Sequence, residues 1–392
     1  MNILYICDFD PDDCQDGGHQ RTRLLHEALR QVGRTHVLCG DSNARVVPGE
    51  RMPLRRTGLG VVRSLVNRIC RSAYSRLFPR CPRVMPFRWS LNVDEAFPGV
   101  VFDCVVVRYP HEAAVSAPWC YGRLFVDFDD HPLEQYRTME GRRHGALRRW
   151  ISERVVRWAV GRVARRCEGV WVSNPGQVAD FPTGTKACPL ENIPYQVPET
   201  RDLAAERKGY LMTVGTFLWE PNRDGVAAFL HEIWPAVRAR HPKLEFRIAG
   251  GGLTEELRRE CESVPGVTCL GFVEDIQELY AHALASVAPV TSGGGTCIKT
   301  RESQMYGRVC LSTEFGARGM PQEDLAEGGI LIYRSADEFV GQLAKVLDDR
   351  MRIDLERRAR AYAEVRFSRS RFLDQVTGLL STGQPENAGD EP

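Results

Sequence analysis

Residues 285–307 read ASVAPVTSGGGTCIKTRESQMYG. A short apolar run, ASVAPV (285–290), enters three consecutive glycines and leaves into CIKTRESQMY (297–306), which has the character of a helix. Glycine loses more backbone freedom on folding than any other residue, so three in a row are costly to order. A strand-to-helix turn gives that cost a use. Glycine lets the main chain approach a ligand closely, and the free N–H groups of a helix's first turn attract anions. Thr296 suits the N-cap of this helix, and Gly307 suits the residue just past its end. Lys299 falls one turn in, and Glu302 lies three residues on along the same face. That is a rise of about 4.5 Å, close to the step from a phosphate to a ribose. Two readings follow. In one, the helix N-terminus and Lys299 hold phosphate while Glu302 accepts the ribose hydroxyls, without a Walker motif or G-x-G-x-x-G. In the other, the segment is a capped surface helix whose Lys–Glu pair contributes only about a few tenths of a kcal/mol.

Outward from this stretch, short apolar runs alternate with amphipathic segments along the whole chain. That rhythm predicts an α/β fold with parallel sheets. Expected strands are 2–7, 35–40, 102–108, 123–129 and 169–174 in the first half. In the second half they are 210–215, 245–250, 267–272, 285–290, 308–313 and 329–333. At 392 residues the chain exceeds one ordinary core. The proline- and charge-rich PYQVPETRDLAAERKG (194–209) separates the halves. The expected organisation is an N-terminal domain over 1–195, a linker at 196–209 and a second domain over 210–365. A terminal helix at 366–380, crossing back to the first domain, and a disordered tail at 381–392 complete it.

A net charge of +1 gives no global field for nucleic acid. No apolar run approaches the roughly 20 residues that span a bilayer. MNILYICDFD reads as a buried first strand rather than a signal peptide, so the expected location is the cytoplasm. Thirteen cysteines are scattered singly, without C-x-x-C or zinc-ligand spacing, and read as reduced and mostly buried.

The stretch from Tyr210 to about Met320 resembles the donor half of a GT-B glycosyltransferase, specifically the retaining family 4 (group 1) enzymes. The matching pieces are TVGTFLWEPNRDGV (213–226), PKLEFRIAGGG (242–252), PGVTCLGFVEDIQELYAHA (265–283), APVTSGGGTCIKTRES (288–303) and STEFGARGM (312–320). The resemblance implies two Rossmann-like parallel-sheet domains facing an interdomain cleft. It places Glu302 on the donor ribose, Phe272 and Val273 at the base, and Gly215, Asn222, Gly293, Gly294, Gly295, Thr296 and Lys299 around the diphosphate. This chain departs from the pattern at three points. Gly294 stands where the first glutamate of the usual E-x7-E occurs. Thr216 and Asn222 stand where relatives carry Arg and Lys, leaving Lys299 as the matched cation. The glutamate that often touches the donor sugar is missing, so sugar contacts fall to the main chain or the other domain.

In the first half, Gly17 and Gly18 precede a helix as in the family's N-terminal loop. Arg21 behind them either touches a donor phosphate or anionic acceptor, or is an exposed arginine of an ordinary helix. After the strand at 123–129, the resemblance implies a polar residue approaching the donor sugar, with Asp129, Asp130 and His131 as occupants. Asp130 and His131, with Lys299, form the expected catalytic set, and His111 is a further loop residue. Asp127, Asp129 and Asp130 look like a DxD cluster, but that motif belongs to another fold, and neither a metal nor a cofactor is expected. Residues 51–93 contain ten arginines and no acid. Their basic amphipathic helix suits an anionic membrane surface, or else packs its apolar face on the domain. The basic segment 141–166 reads as a core helix.

The expected activity is retaining transfer of a sugar from a nucleotide-diphosphate donor to a glycan, lipid-linked or small-molecule hydroxyl, on the cytoplasmic face of surface polysaccharide or glycoconjugate assembly. Alternatives are a nucleotide-sugar epimerase and a non-catalytic binding partner.

Overall fold

The computed structural model describes residues 1–13, 17–57, 90–116, 118–195 and 209–381. Most of the basic segment 51–93, almost all of the linker 196–209 and nearly all of the tail 381–392 lie outside the described residues. The chain divides into two compact units, Met1–Glu191 with Arg369–Pro392, and Asn192–Ser368.

The first unit holds a seven-stranded sheet in the order β3-β2-β1-β6-β7-β8-β9. Its strands are β1 (Asn2–Cys7), β2 (Arg34–Cys39), β3 (Arg51–Pro53), β6 (Cys104–Arg108), β7 (Arg123–Phe128), β8 (Gly169–Val172) and β9 (Ala187–Pro189). All pairings are parallel. A small antiparallel pair, β4 (Arg56–Thr57) and β5 (Ser90–Leu91), stands apart. The central strands are buried on both faces, which is why CVVVR and GVWV read as continuous apolar runs rather than alternating ones. Helices α1 (Gly17–Val32) and α2 (Ala146–Ala164) belong to this unit.

The second unit holds a six-stranded parallel sheet in the order β12-β11-β10-β13-β14-β15. Its strands are β10 (Tyr210–Val214), β11 (Glu245–Ala249), β12 (Val267–Gly271), β13 (Ala285–Ala288), β14 (Cys310–Ser312) and β15 (Ile330–Ile332). Helices α3 (Glu220–Ala228), α4 (Ile298–Met305) and α5 (Asp349–Arg366) are joined to it. Its core gathers Phe229, Trp234, Phe246 and Phe339, all at most 1 % exposed. The chain then breaks at Phe367 and Ser368, and α6 (Arg369–Ser381) returns to the first unit. There Leu379 packs so closely on Gly169 that a Cβ at 169 would lie 2.7 Å from Leu379 Cδ1.

Every expected strand forms. The edge strands β3 and β9 have three residues each, too few to show a periodicity. Both sheets carry a topological switch point, between β1 and β6 and between β10 and β13, where the crossovers leave in opposite directions. Ligands of open α/β sheets bind beyond the carboxyl ends of the strands at such points.

The carboxyl end of the first sheet is held by buried charge. Arg21 on α1 binds Asp127 at the end of β7 with two bonds, Nε–Oδ2 at 2.8 Å and Nη2–Oδ1 at 2.7 Å. Its third bond, from Nη1, goes to the Leu190 carbonyl at 2.9 Å. Arg108 at the end of β6 donates to Asp127 Oδ2 and to Asp129 Oδ2, both at 2.8 Å. Arg21 is 2 % exposed and Asp127 fully buried, so Arg21 is an internal ion-pair residue, neither an open phosphate ligand nor an exposed helix residue. Asp127 and Asp129 likewise serve the arginines and do not form an open DxD cluster. His131 is fully buried between Phe128 and Phe181. Its Nδ1 accepts from the Leu133 N–H at 3.3 Å, capping the short helix Pro132–Gln135. Burial first, then the charges of Arg137 and Arg157, lower its pKa to about 3.

Two stability predictions follow from these groups. Asp127→Ala removes the carboxylate that two buried guanidiniums share, and denaturant unfolding is expected to show a loss of about 3–5 kcal/mol; a loss under about 1 kcal/mol would contradict the arrangement. For His131 the folded pKa lies below the unfolded one, so its contribution is fully present above about pH 6.5 and is lost as pH falls toward 3. His131→Asn, which keeps a capping oxygen, is expected to flatten the fall in stability between about pH 6 and 4 by up to about 1.4 kcal/mol per pH unit. An unchanged slope would show that His131 titrates normally.

Candidate functional site

The second unit's switch point is built from the loops after β10 and β13. Gly215 follows β10, and 289–297 follows β13. A Cβ at Gly215 would sit 2.7 Å from Lys299 Nζ and 2.9 Å from its Cε, so the lysine side chain lies directly over the glycine α-carbon. Gly250, with φ +143°, repeats the requirement one strand away, since its Cβ would fall 1.8 Å from the Gly215 carbonyl oxygen. A side chain at Gly215 would fill the space that Lys299 occupies, and one at Gly250 would displace the Gly215 carbonyl.

Lys299 is 9 % exposed. Its ammonium makes one hydrogen bond among the described residues, donating to Asn222 Oδ1 at 2.7 Å. The Asn222 amide in turn donates to the Thr216 carbonyl at 2.7 Å. Thus Asn222, in the first turn of α3, orients the lysine without neutralising it. A buried cation with a neutral partner carries an uncompensated desolvation cost, and an anion arriving at that point would offset it.

Gly293, Gly294 and Gly295 are buried, and Gly293 has φ +138°, a conformation L side chains rarely adopt. Beyond them α4 begins one residue later than the sequence suggests. Its N-cap is Cys297, which makes no side-chain capping bond. Thr296 instead accepts a hydrogen bond from Asn192 Nδ2 at 3.2 Å. The first-turn amides of α4 therefore lack the usual capping oxygen. The far end closes with Gly307 at φ +60°, where Gly307 N–H bonds Gln304 O at 2.9 Å and Arg308 N–H bonds Ser303 O at 2.8 Å. This is a Schellman termination, fixing the length of α4 and the height of Glu302 along it.

Glu302 is 6 % exposed. Tyr280 and Tyr306 stack at 4.4 Å with an interplanar angle of 4°. Burial, and next the Glu302 charge, push both phenols up in pKa. Phe272 at the end of β12 is 66 % exposed, offering an open aromatic face, and Val273 packs on the cluster of Tyr210, Met212 and Tyr280.

One cation escaped the sequence reading. The guanidinium of Arg318 lies 3.5 Å over the Phe315 ring and donates to the Phe315 carbonyl at 3.1 Å. A Cβ at Gly293 would be 3.4 Å from its Nη2. Thr313 ties the Arg318 loop to the glycine loop through the Val290 carbonyl and the Gly316 N–H. The available signal was position: Arg318 follows β14, the parallel neighbour of β13, so its loop emerges at the same edge.

In the first unit, the loops after β1 and β6 meet at the switch point, where His111 Nε2 lies 3.2 Å from Asp8 Oδ2 with both side chains about one-third exposed. Tyr109, two residues before His111, has φ +74°, a strained backbone for a non-glycine residue. Arg108 lies 4.1 Å over its ring and His111 stacks on it. Gly17 and Gly18 open α1, and Thr22 Oγ1 donates to the Gly18 carbonyl at 2.8 Å. Asp130 is half-buried, unlike Asp129 and His131 on either side.

Among the described residues no group of three His, Cys, Asp or Glu side chains is disposed to hold a metal ion, and no helix is long and apolar enough to cross a membrane.

Residues 208–349 match the family model described as Glycosyl transferases group 1. No curated protein matches the sequence. Among solved structures, Anabaena HepE in complex with UDP superposes with a TM-score of 0.65 at 14 % identity, over 97 % of this chain and 100 % of that one. WaaG, a glycosyltransferase involved in lipopolysaccharide biosynthesis, gives 0.59 at 14 % identity over 96 % and 100 %. For S. aureus TarM the values are 0.54 and 13 %, over 71 % of this chain and 55 % of that one, so the chain spans about half the length of TarM. Identities this low speak to the fold, and the fold they share is GT-B. Residues 208–349 thus carry the group 1 glycosyl transferase match, and the chain as a whole has the fold of the GT-B glycosyltransferases.

Proposed function

We propose that the protein transfers a sugar from a nucleoside diphosphate donor to an acceptor hydroxyl with retention of anomeric configuration. The carrying observation is the buried Lys299 ammonium, held by a neutral amide beside three buried glycines and an uncapped helix N-terminus. A diphosphate is an anion of the right kind for that position. Lys299 and the first-turn amides of α4 stabilise it as it departs, and Arg318 adds a second positive charge where relatives use other positions. Glu302 accepts the ribose hydroxyls, and the base lies on the exposed face of Phe272. HepE binds UDP, which makes uridine the first base to test. The leaving phosphate oxygen takes the acceptor proton on the face it vacates, so no side-chain base is assigned. A glycan or lipid-linked acceptor in surface polysaccharide assembly, on the cytoplasmic side, fits this reading.

Thermal shift with UDP, GDP, dTDP and ADP is expected to select one base by several degrees. Lys299→Ala and Glu302→Ala are each expected to lower transfer by about 100-fold or more, equivalent to about 2.7 kcal/mol, with unfolding midpoints retained. Near-normal turnover by both purified variants would overturn the donor site. Nucleotide binding without transfer would favour a binding partner, and an altered donor sugar without an acceptor product would favour an epimerase.

Arg318→Ala is expected to weaken the nucleoside diphosphate about tenfold and the corresponding nucleoside hardly at all, measured by calorimetry. Equal weakening of both would place Arg318 away from the phosphates.

A further inference from the structure

Helix α2 carries a surface that the donor site does not use. Its buried face consists of Ser152, Val156, Ala159, Val160, Val163 and Ala164, and near its C-terminal end Gly161 is also buried, beside Pro182. At about 100° per residue, Leu147, Ile151, Arg154, Trp158 and Arg162 fall on the opposite face, with Trp150 at its margin. Leu147 is 72 % exposed, Trp150 56 %, Ile151 45 % and Trp158 53 %. From Leu147 to Trp158 this apolar stripe runs about 16 Å along the helix. The core-helix expectation for 141–166 thus holds for one face only.

Arg154, Arg162 and Arg165 fall on the same face. Residues 141–166 contain nine arginines and a single acid, Glu153. Glu153 lies 3.6 Å from Arg137, while Arg157 pairs with Asp180 at 3.4 Å. Arg154 lies 4.7 Å over the Trp150 ring and Arg162 lies 5.5 Å over Trp158, so each tryptophan is presented with a guanidinium beside it. Large exposed aromatic and aliphatic groups surrounded by arginine suit a surface whose outside is anionic and whose next layer is apolar. A second copy of the same face would bring two sets of arginines together. Charge complementarity therefore selects an anionic partner, and the alternation of Trp and Arg selects one with apolar depth beneath the charge.

We propose that the exposed face of α2 docks the protein on an anionic lipid bilayer, with Leu147, Trp150, Ile151 and Trp158 entering the headgroup–acyl boundary and the flanking arginines on lipid phosphates. The helix lies on the surface, since it is not apolar enough to cross it. This proposal is independent of the donor-site assignment and of residues 58–89, which lie outside the described residues.

The test is cosedimentation of the full chain with vesicles of phosphatidylcholine alone and with about one-third phosphatidylglycerol. The wild type is expected to bind the anionic vesicles, to bind less as salt rises, and to leave the neutral ones unbound. Leu147→Ser/Trp150→Ser/Trp158→Ser, at side chains already more than half exposed, is expected to reduce partition at least tenfold with an unchanged unfolding midpoint. A second variant, Arg154→Gln/Arg162→Gln/Arg165→Gln, is expected to give a comparable loss while keeping every apolar group. Failure of the wild type to bind anionic vesicles would overturn the proposal and leave an acidic protein as the partner to seek. Undiminished binding by both folded variants would also overturn it, by placing the lipid contact elsewhere in the chain.

Discussion

A lysine lying flat on a glycine sets the form of the second unit's functional edge. Lys299 reaches its position only because Gly215 has no side chain, and Gly215 is itself crowded by Gly250 on the neighbouring strand. Asn222 fixes the ammonium through its carbonyl oxygen. The three buried glycines 293–295 lead into the helix that carries it. Each feature leaves room or direction for an anion, and none supplies one.

Strand order makes this arrangement possible. In the order β12-β11-β10-β13-β14-β15, the strand preceding Gly215 and the strand preceding the glycine loop are neighbours, although some seventy residues separate them along the chain. Their crossovers diverge, and the opening between them is where α4 points its first turn. Arg318 joins the same edge because β14 is the next strand along.

The first unit uses charge in the opposite way. Its switch point has a floor of paired groups, Arg21 and Arg108 on Asp127 and Asp129. Such a network gives the loop ends little freedom to rearrange, because breaking one pair leaves a buried charge. The groups at the mouth are His111 and Asp8, with the strained Tyr109 stacked on His111.

Much of the fold is local information. The apolar runs that became β1, β6, β8, β10 and β13, the glycine turn, and the end of α4 at Gly307 are patterns a few residues long, and backbone sterics and burial act on them where they stand. The sequence by itself therefore determined two parallel α/β sheets and the strand–glycine–helix unit with Lys299 and Glu302 on one face. It did not determine partners across the chain. Arg21 looks like any helix arginine until Asp127 is brought beneath it from 106 residues away. His131 looks like a catalytic histidine until Phe128 and Phe181 close over it. Arg318 looks like a loop residue, and α2 like a core helix. Those assignments belong to the tertiary structure alone, because the burial and pairing of a charge depend on which strands lie side by side, and no short stretch of sequence carries that order.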